Sequence, residues 1–137
     1  MPYLNVRLGG EPLGDEAKEA LLTRLTELME TVMGKDREVT VVSIDDAPSR
    51  RWATAGRPLA DNARMAQVDI KITRGTNDAD DKQRMIGAAT TAVMEIAGDC
   101  VGPIYVVIDE LPADSWGYDG LSQAERKRVT ARAWPYY

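Results

Sequence analysis

Histidine is absent from the 137 residues, and that absence decides most of the chemistry open to the chain. Ser-His-Asp and Cys-His nucleophile systems, His-ligated zinc and an imidazole base are excluded together. The natural candidate for a base near neutral pH is then the chain's own amine. Proline stands second, methionine is readily removed before so small a residue, and Pro2 would present a secondary amine at the start of a strand. An α-amino group titrates at roughly 7.7–8.0, and partial burial in an apolar pocket disfavours the ammonium. Both effects bring it into the range useful for proton transfer at pH 7. Proline is about one residue in twenty, so Met-Pro alone is weak evidence, and the elements around it must carry the argument.

Composition narrows the partners. Seventeen basic residues against 22 acidic ones leave a net charge of −5, which argues against nucleic acid. The single cysteine, Cys100, excludes an internal disulfide and suits a reducing cytoplasm, where the protein is expected to act. No apolar run approaches the roughly 20 residues of a membrane span, and the opening residues do not read as a signal peptide. No metal site and no cofactor is expected, and the length suits a single domain spanning 1–137.

A repeat divides that length. Trp52 and Trp116 stand 64 residues apart, and the same offset pairs Pro48 with Pro112, Gly56 with Gly120, Ile44 with Ile108, Lys18 with Lys82 and Gly34 with Gly98. Periodicity repeats with it. Leu4, Val6 and Leu8 alternate with polar residues as a half-buried strand does, and so do Val68, Ile70 and Ile72. Leu21, Leu25, Leu28, Met29 and Val32 form a helical stripe ending near Gly34; Met85, Ala89, Ala92, Val93 and Ile96 form its counterpart ending near Gly98. The β-branched runs at 39–44 and 104–108 read as strands, each followed by a Trp-bearing turn or short hairpin.

The expected fold is α+β: two tandem β-α-β units, at 2–65 and 66–120, forming a four-stranded mixed sheet with two helices on one face. Each parallel crossover is right-handed by default. The other face would be bare, so oligomerisation is expected. Residues 57–64 read as the connector. In the tail, 121–137, a short basic helix is expected over 122–129, and the aromatic end Trp134-Pro135-Tyr136-Tyr137 is expected to dock on a neighbour.

Met-Pro leading into an alternating strand, a helix, a parallel strand and a turn with one aromatic resembles the tautomerase superfamily. Its founding type, 4-oxalocrotonate tautomerase, is one β-α-β unit with a catalytic amino-terminal proline. The run AQVDIKITRG at 66–75, followed by Asp80, Asp81, Lys82 and Gln83, is similar to the opening of that short enzyme. So is VVIDE at 106–110 leading to SWGYDG at 115–120, and the likeness to the double-length branch covers all but about the last fifteen residues. The resemblance implies a proline-based tautomerase, an isomerase interconverting keto and enol forms of a small carboxylate-bearing substrate, with Pro2 as base. Ala66 stands at the second unit's equivalent place and, being internal, offers no amine. One competent site per chain follows, three in a homotrimer.

The same resemblance implies a carboxylate-binding arginine. The short enzyme's arginines fall on Thr76, Val41 and Tyr105, whereas Arg74 agrees with one of a pair in the double-length decarboxylases. Arg50, Arg51 and Arg57 flank the first turn. Trp52 and Trp116 match an active-site aromatic that walls the pocket, and Tyr118 lies beside the second of them. Asp36-Arg37 is similar to an aspartate-arginine pair of the malonate semialdehyde decarboxylases, so decarboxylation or hydration is the alternative activity, with Asp36 at the substrate. A non-catalytic trimeric binding protein is the third reading.

Overall fold

The chain is described from a computed structural model, over residues 2–133. Strand β1 (Tyr3–Gly9) buries Leu4, Val6 and Leu8 completely and turns its odd-numbered residues to the other face. Helix α1 (Asp15–Thr31) begins after Gly14 with no side-chain cap, but Asp15 and Glu16 in its first turn favour the positive helix end. Its buried stripe is Leu21, Leu25 and Met29. Strand β2 (Val41–Ala47) begins two residues later than the apolar run at 39–44 suggests. The cause is local: the Asp36 carboxylate accepts the Glu38 amide at 2.9 Å and starts a 3-10 turn over Arg37–Val39, which takes Val39 out of the strand.

After a 3-10 turn at Ser49–Arg51, strands β3 (Ala53–Thr54) and β4 (Arg57–Pro58) make a small hairpin, so the expected connector starts inside an ordered element. Ala55 and Gly56 take φ of 54° and 75° at its tip, the left-handed pair that a tight two-residue hairpin needs. Strand β5 (Met65–Thr73) repeats β1, burying Val68, Ile70 and Ile72. Helix α2 (Ala79–Ala97) starts in a capping box, with Asp78 accepting from the Asp81 amide and Asp81 reaching back to the Asp78 amide. Strand β6 (Tyr105–Leu111) and a second hairpin, β7 (Gly117–Tyr118) with β8 (Leu121–Ser122), complete the repeat. The tail begins as helix α3 (Gln123–Ala133), and Trp134 to Tyr137 lie outside the described residues.

The mixed sheet has the order β2-β1-β5-β6. The outer pairs are parallel and the central pair is antiparallel, with Tyr3 opposite Lys71 and Asn5 opposite Asp69. Asn5 and Asp69 are themselves 64 residues apart, so a pseudo-two-fold axis passes between them. The axis relates much more than strands. Lys18 bridges Asp46 at 2.7 Å, and Lys82 bridges Glu110, one repeat on, at the same distance. Both long helices cover the even-numbered face, where Leu25, Met29, Met85 and Val93 close the core over the strands. The opposite face carries a polar network, including Asn5 donating to Ser43 at 2.8 Å and to Asp45 at 3.0 Å. Tyr3, Val41, Tyr105 and Val107 lie exposed on that same face.

Candidate active site

Pro2 immediately precedes β1 and its ring is fully buried. Its carbonyl accepts the Val41 amide at 3.4 Å, which ties the residue to the start of β2. Beside it opens a cavity of about 450 Å³, within the usual range for small-molecule sites. The topology explains who lines it. The parallel β1–β2 pairing sets Val41 next to Tyr3, so the 3-10 turn before β2 brings Glu38 and Val39 to the cavity. Antiparallel pairing sends β5 back toward the start of β1, so Lys71 faces Tyr3 and the second hairpin supplies Trp116, Gly117, Tyr118 and Asp119. The first unit therefore brings the proline and one side of the wall, and the second brings the other side.

That wall is held from behind. The Trp116 indole donates to the Thr73 hydroxyl at 3.1 Å. Helix α3 grips the hairpin from the other side: the Gln123 amide donates to the Trp116 carbonyl at 2.9 Å, and the Ala124 amide to the Ala113 carbonyl at 2.8 Å. Arg126 donates to the Tyr118 carbonyl at 2.7 Å while its guanidinium lies 3.9 Å from the Tyr118 ring centre. The short basic helix expected from the sequence is thus a brace for the pocket.

One repeat away the corresponding region is packed by a methionine. Met65 is buried, and its sulfur accepts the Thr54 hydroxyl at 3.6 Å. A Cβ on Gly102 would come within 2.9 Å of that sulfur. Thr54 and Gly102 are the repeat partners of Tyr118 and Glu38, and Met65 is the repeat partner of Met1, so in the second unit a methionine packs into the counterpart of the cavity wall. Trp52 packs its ring flat on Gly9, where an added Cβ would sit 2.7 Å from the indole. Gly9 is the partner of Thr73 and has no hydroxyl, so the Trp52 indole nitrogen is buried with no hydrogen-bond partner among the described residues. Arg7 lies over the Trp52 ring at 5.4 Å.

Of the residues singled out by sequence, Pro2, Trp116 and Tyr118 meet at one cavity. Trp52 belongs to the pseudo-equivalent region at the other end of the sheet. Asp36 caps the 3-10 turn, and its neighbour Arg37 bridges Glu30 at 3.3 Å, so neither is among the lining residues. Arg74 is exposed just past β5 and outside the lining; its amide donates to the Leu111 carbonyl at 2.8 Å. Nearby, the Glu110 carboxyl is held below its ordinary range chiefly by the hydrogen bond from Lys82, against some desolvation, with help from the Gly75 amide and the Arg74 charge. Lys71, Glu38 and Asp119 were not singled out by sequence. The one available signal for Lys71 is its place on the polar side of an alternating strand. Among the described residues, no group of three or more His, Cys, Asp or Glu side chains could hold a metal ion.

The fold and cavity together define a small double-unit α+β protein with a proline at its pocket floor. A family described as "Tautomerase enzyme" matches residues 2–62 and again 67–126. The chain belongs to the tautomerase family. The curated relative "Probable tautomerase K2" of Dickeya dadantii is 29% identical over 66 residues, which is 48% of this chain and 98% of that protein. Among solved structures, a fused 4-OT symmetric trimer superposes with a TM-score of 0.80 at 24% identity, covering 90% of this chain and 98% of its own. Native fused 4-OT gives 0.78 at 22% identity, over 89% and 96%. At such identities the likeness to these structures is one of fold.

Proposed function

We propose that the chain is a proline-based tautomerase that ketonises a small enol of a 2-oxo carboxylic acid, with the Pro2 amine as base after removal of Met1. The observation that carries this reading is the fully buried Pro2 beside an aromatic-walled cavity, while its counterpart Ala66 is internal, has no free amine and is preceded by the buried Met65. Burial favours the neutral amine, which can take the enol O–H proton. The resulting ammonium returns a proton to the substrate carbon as the carbonyl forms, so Pro2 ends as it began. Trp116 and Tyr118 supply an aromatic wall beside the exchange.

Met65 and Ala66 support one site per chain, with residues 2–65 and 66–120 as the two halves of a single domain. A homotrimer is part of the reading, supported by the exposed Tyr3, Val41, Tyr105 and Val107 on the uncovered sheet face and by the trimeric fused 4-OT relatives. A cytoplasmic enzyme suits the single cysteine. The test is Pro2→Ala, assayed on phenylenolpyruvate, 2-hydroxymuconate and malonate semialdehyde. Loss of ketonisation by about 10²–10⁴-fold with an unchanged oligomer is expected, as for removal of a general base. Undiminished ketonisation would refute the role of Pro2. Turnover of malonate semialdehyde alone would favour decarboxylation.

A further inference from the structure

We propose that the cavity selects a monocarboxylate with a flat apolar tail, that Lys71 anchors its carboxylate, and that a second carboxylate is rejected; the proposal rests on the tautomerase reading of this cavity. Charge is the first argument. Lys71 is the one cationic side chain among the described lining residues, and it shares the lining with two exposed carboxylates, Glu38 and Asp119. A single carboxylate can therefore be neutralised inside, whereas a second would meet like charge.

Three nearby cations stand outside the lining. Arg37 bridges Glu30 at 3.3 Å. Arg126 is spent on the carbonyl and ring of Tyr118. Lys82 bridges Glu110 at 2.7 Å. Lys71 has its own partner, Asp109, at 3.1 Å, but the two side chains are 43% and 46% exposed, so that pair is weak and exchangeable. A substrate carboxylate displaces Asp109 with little loss. Shape is the second argument: away from Lys71 the walls are Trp116, Tyr118, Tyr3, Val39 and Val41, surfaces suited to a ring or alkyl tail. Among the described lining residues that side carries no cation, and only the Tyr3 and Tyr118 hydroxyls are polar on its aromatic walls.

Two measurements run side by side. Ketonisation of phenylenolpyruvate, a monocarboxylate, is compared with that of 2-hydroxymuconate, a dicarboxylate, and calorimetry compares the unreactive 3-phenylpropanoate with adipate. Wild type should favour phenylenolpyruvate by about tenfold or more in kcat/KM, the size of one lost charged hydrogen bond. Lys71→Met should raise its KM by about tenfold with a smaller fall in kcat, Lys71→Arg should restore most of it, and Glu38→Gln with Asp119→Asn should narrow the gap between the two enols. Equal or faster turnover of 2-hydroxymuconate overturns the selection, and an unmoved KM in a folded Lys71→Met overturns the anchor. If neither enol reacts, the tautomerase reading fails by itself. The calorimetric preference for 3-phenylpropanoate, lost in Lys71→Met, then still supports the charge argument, while equal or absent binding of both acids overturns it.

Discussion

Trp52 and Trp116 offer an internal control on what an indole hydrogen bond contributes. Trp116 and Trp52 occupy equivalent places in the two units, yet only Trp116 finds a hydroxyl, that of Thr73 at 3.1 Å. Thr73→Val keeps the shape of the side chain and removes the acceptor. A neutral hydrogen bond contributes about 0.5–1.5 kcal/mol net, and orphaning a buried donor costs about 1–3 kcal/mol. Because Trp116 is half-buried, the loss belongs at the low end, about 1–2 kcal/mol. With a urea slope of roughly 2 kcal/mol per molar, the unfolding midpoint should fall by roughly 0.5–1 M. The assay is equilibrium urea unfolding at one fixed protomer concentration, since association shifts apparent stability. A double-mutant cycle with Trp116→Phe should recover a coupling of about 1 kcal/mol. Trp52→Phe, which removes a donor with no partner among the described residues, should cost less than Trp116→Phe by a similar amount. The reasoning is refuted if Thr73→Val leaves the midpoint unmoved and both Trp→Phe changes cost the same.

Two further outcomes are expected. Arg126→Met should loosen the hairpin that walls the cavity, raising KM several-fold while Pro2 and the pH profile stay as they were; the Trp116 contribution to near-ultraviolet circular dichroism should change with it. Glu110 and Asp81 both titrate below their ordinary values, Glu110 through Lys82 first and Asp81 through Asn77 first. A depressed carboxyl contributes stability above its ordinary pKa that is lost as pH falls through the folded value. Urea midpoints should therefore decline from about pH 5 toward pH 3, and Glu110→Gln should flatten part of that slope without altering the midpoint's plateau shape near neutrality.

What could be read from the sequence was whatever repeats at short range. Leu4, Val6 and Leu8 announce a strand face by alternation, and Met85, Ala89, Ala92 and Val93 announce a helix stripe. The 64-residue offset extends even to the paired salt bridges of Lys18 and Lys82. The cavity's charged lining was not legible, for a reason that lies in the sheet. Lys71 meets Tyr3 only because β1 and β5 run antiparallel in one particular register, and periodicity within a strand is silent about its partner's alignment. Likewise, nothing in the order of Asp36, Arg37 and Glu38 distinguishes a substrate-facing aspartate from one that closes a turn on its own backbone. The tail helix reads as basic, but its grip on Tyr118 depends on where the second hairpin lies.

The pseudo-dyad between Asn5 and Asp69 has a consequence for inheritance. Where two identical short chains pair, any substitution that suits one pocket is copied into the other, so every change is a compromise. Joining the halves in one polypeptide ends that constraint. Gly9 and Thr73, Ala66 and Pro2, and Gly102 and Glu38 are positions where each copy has settled on a residue suited to its own side alone. The fusion also fixes the stoichiometry of the halves, since a proline-bearing unit is always made together with the unit that walls its cavity.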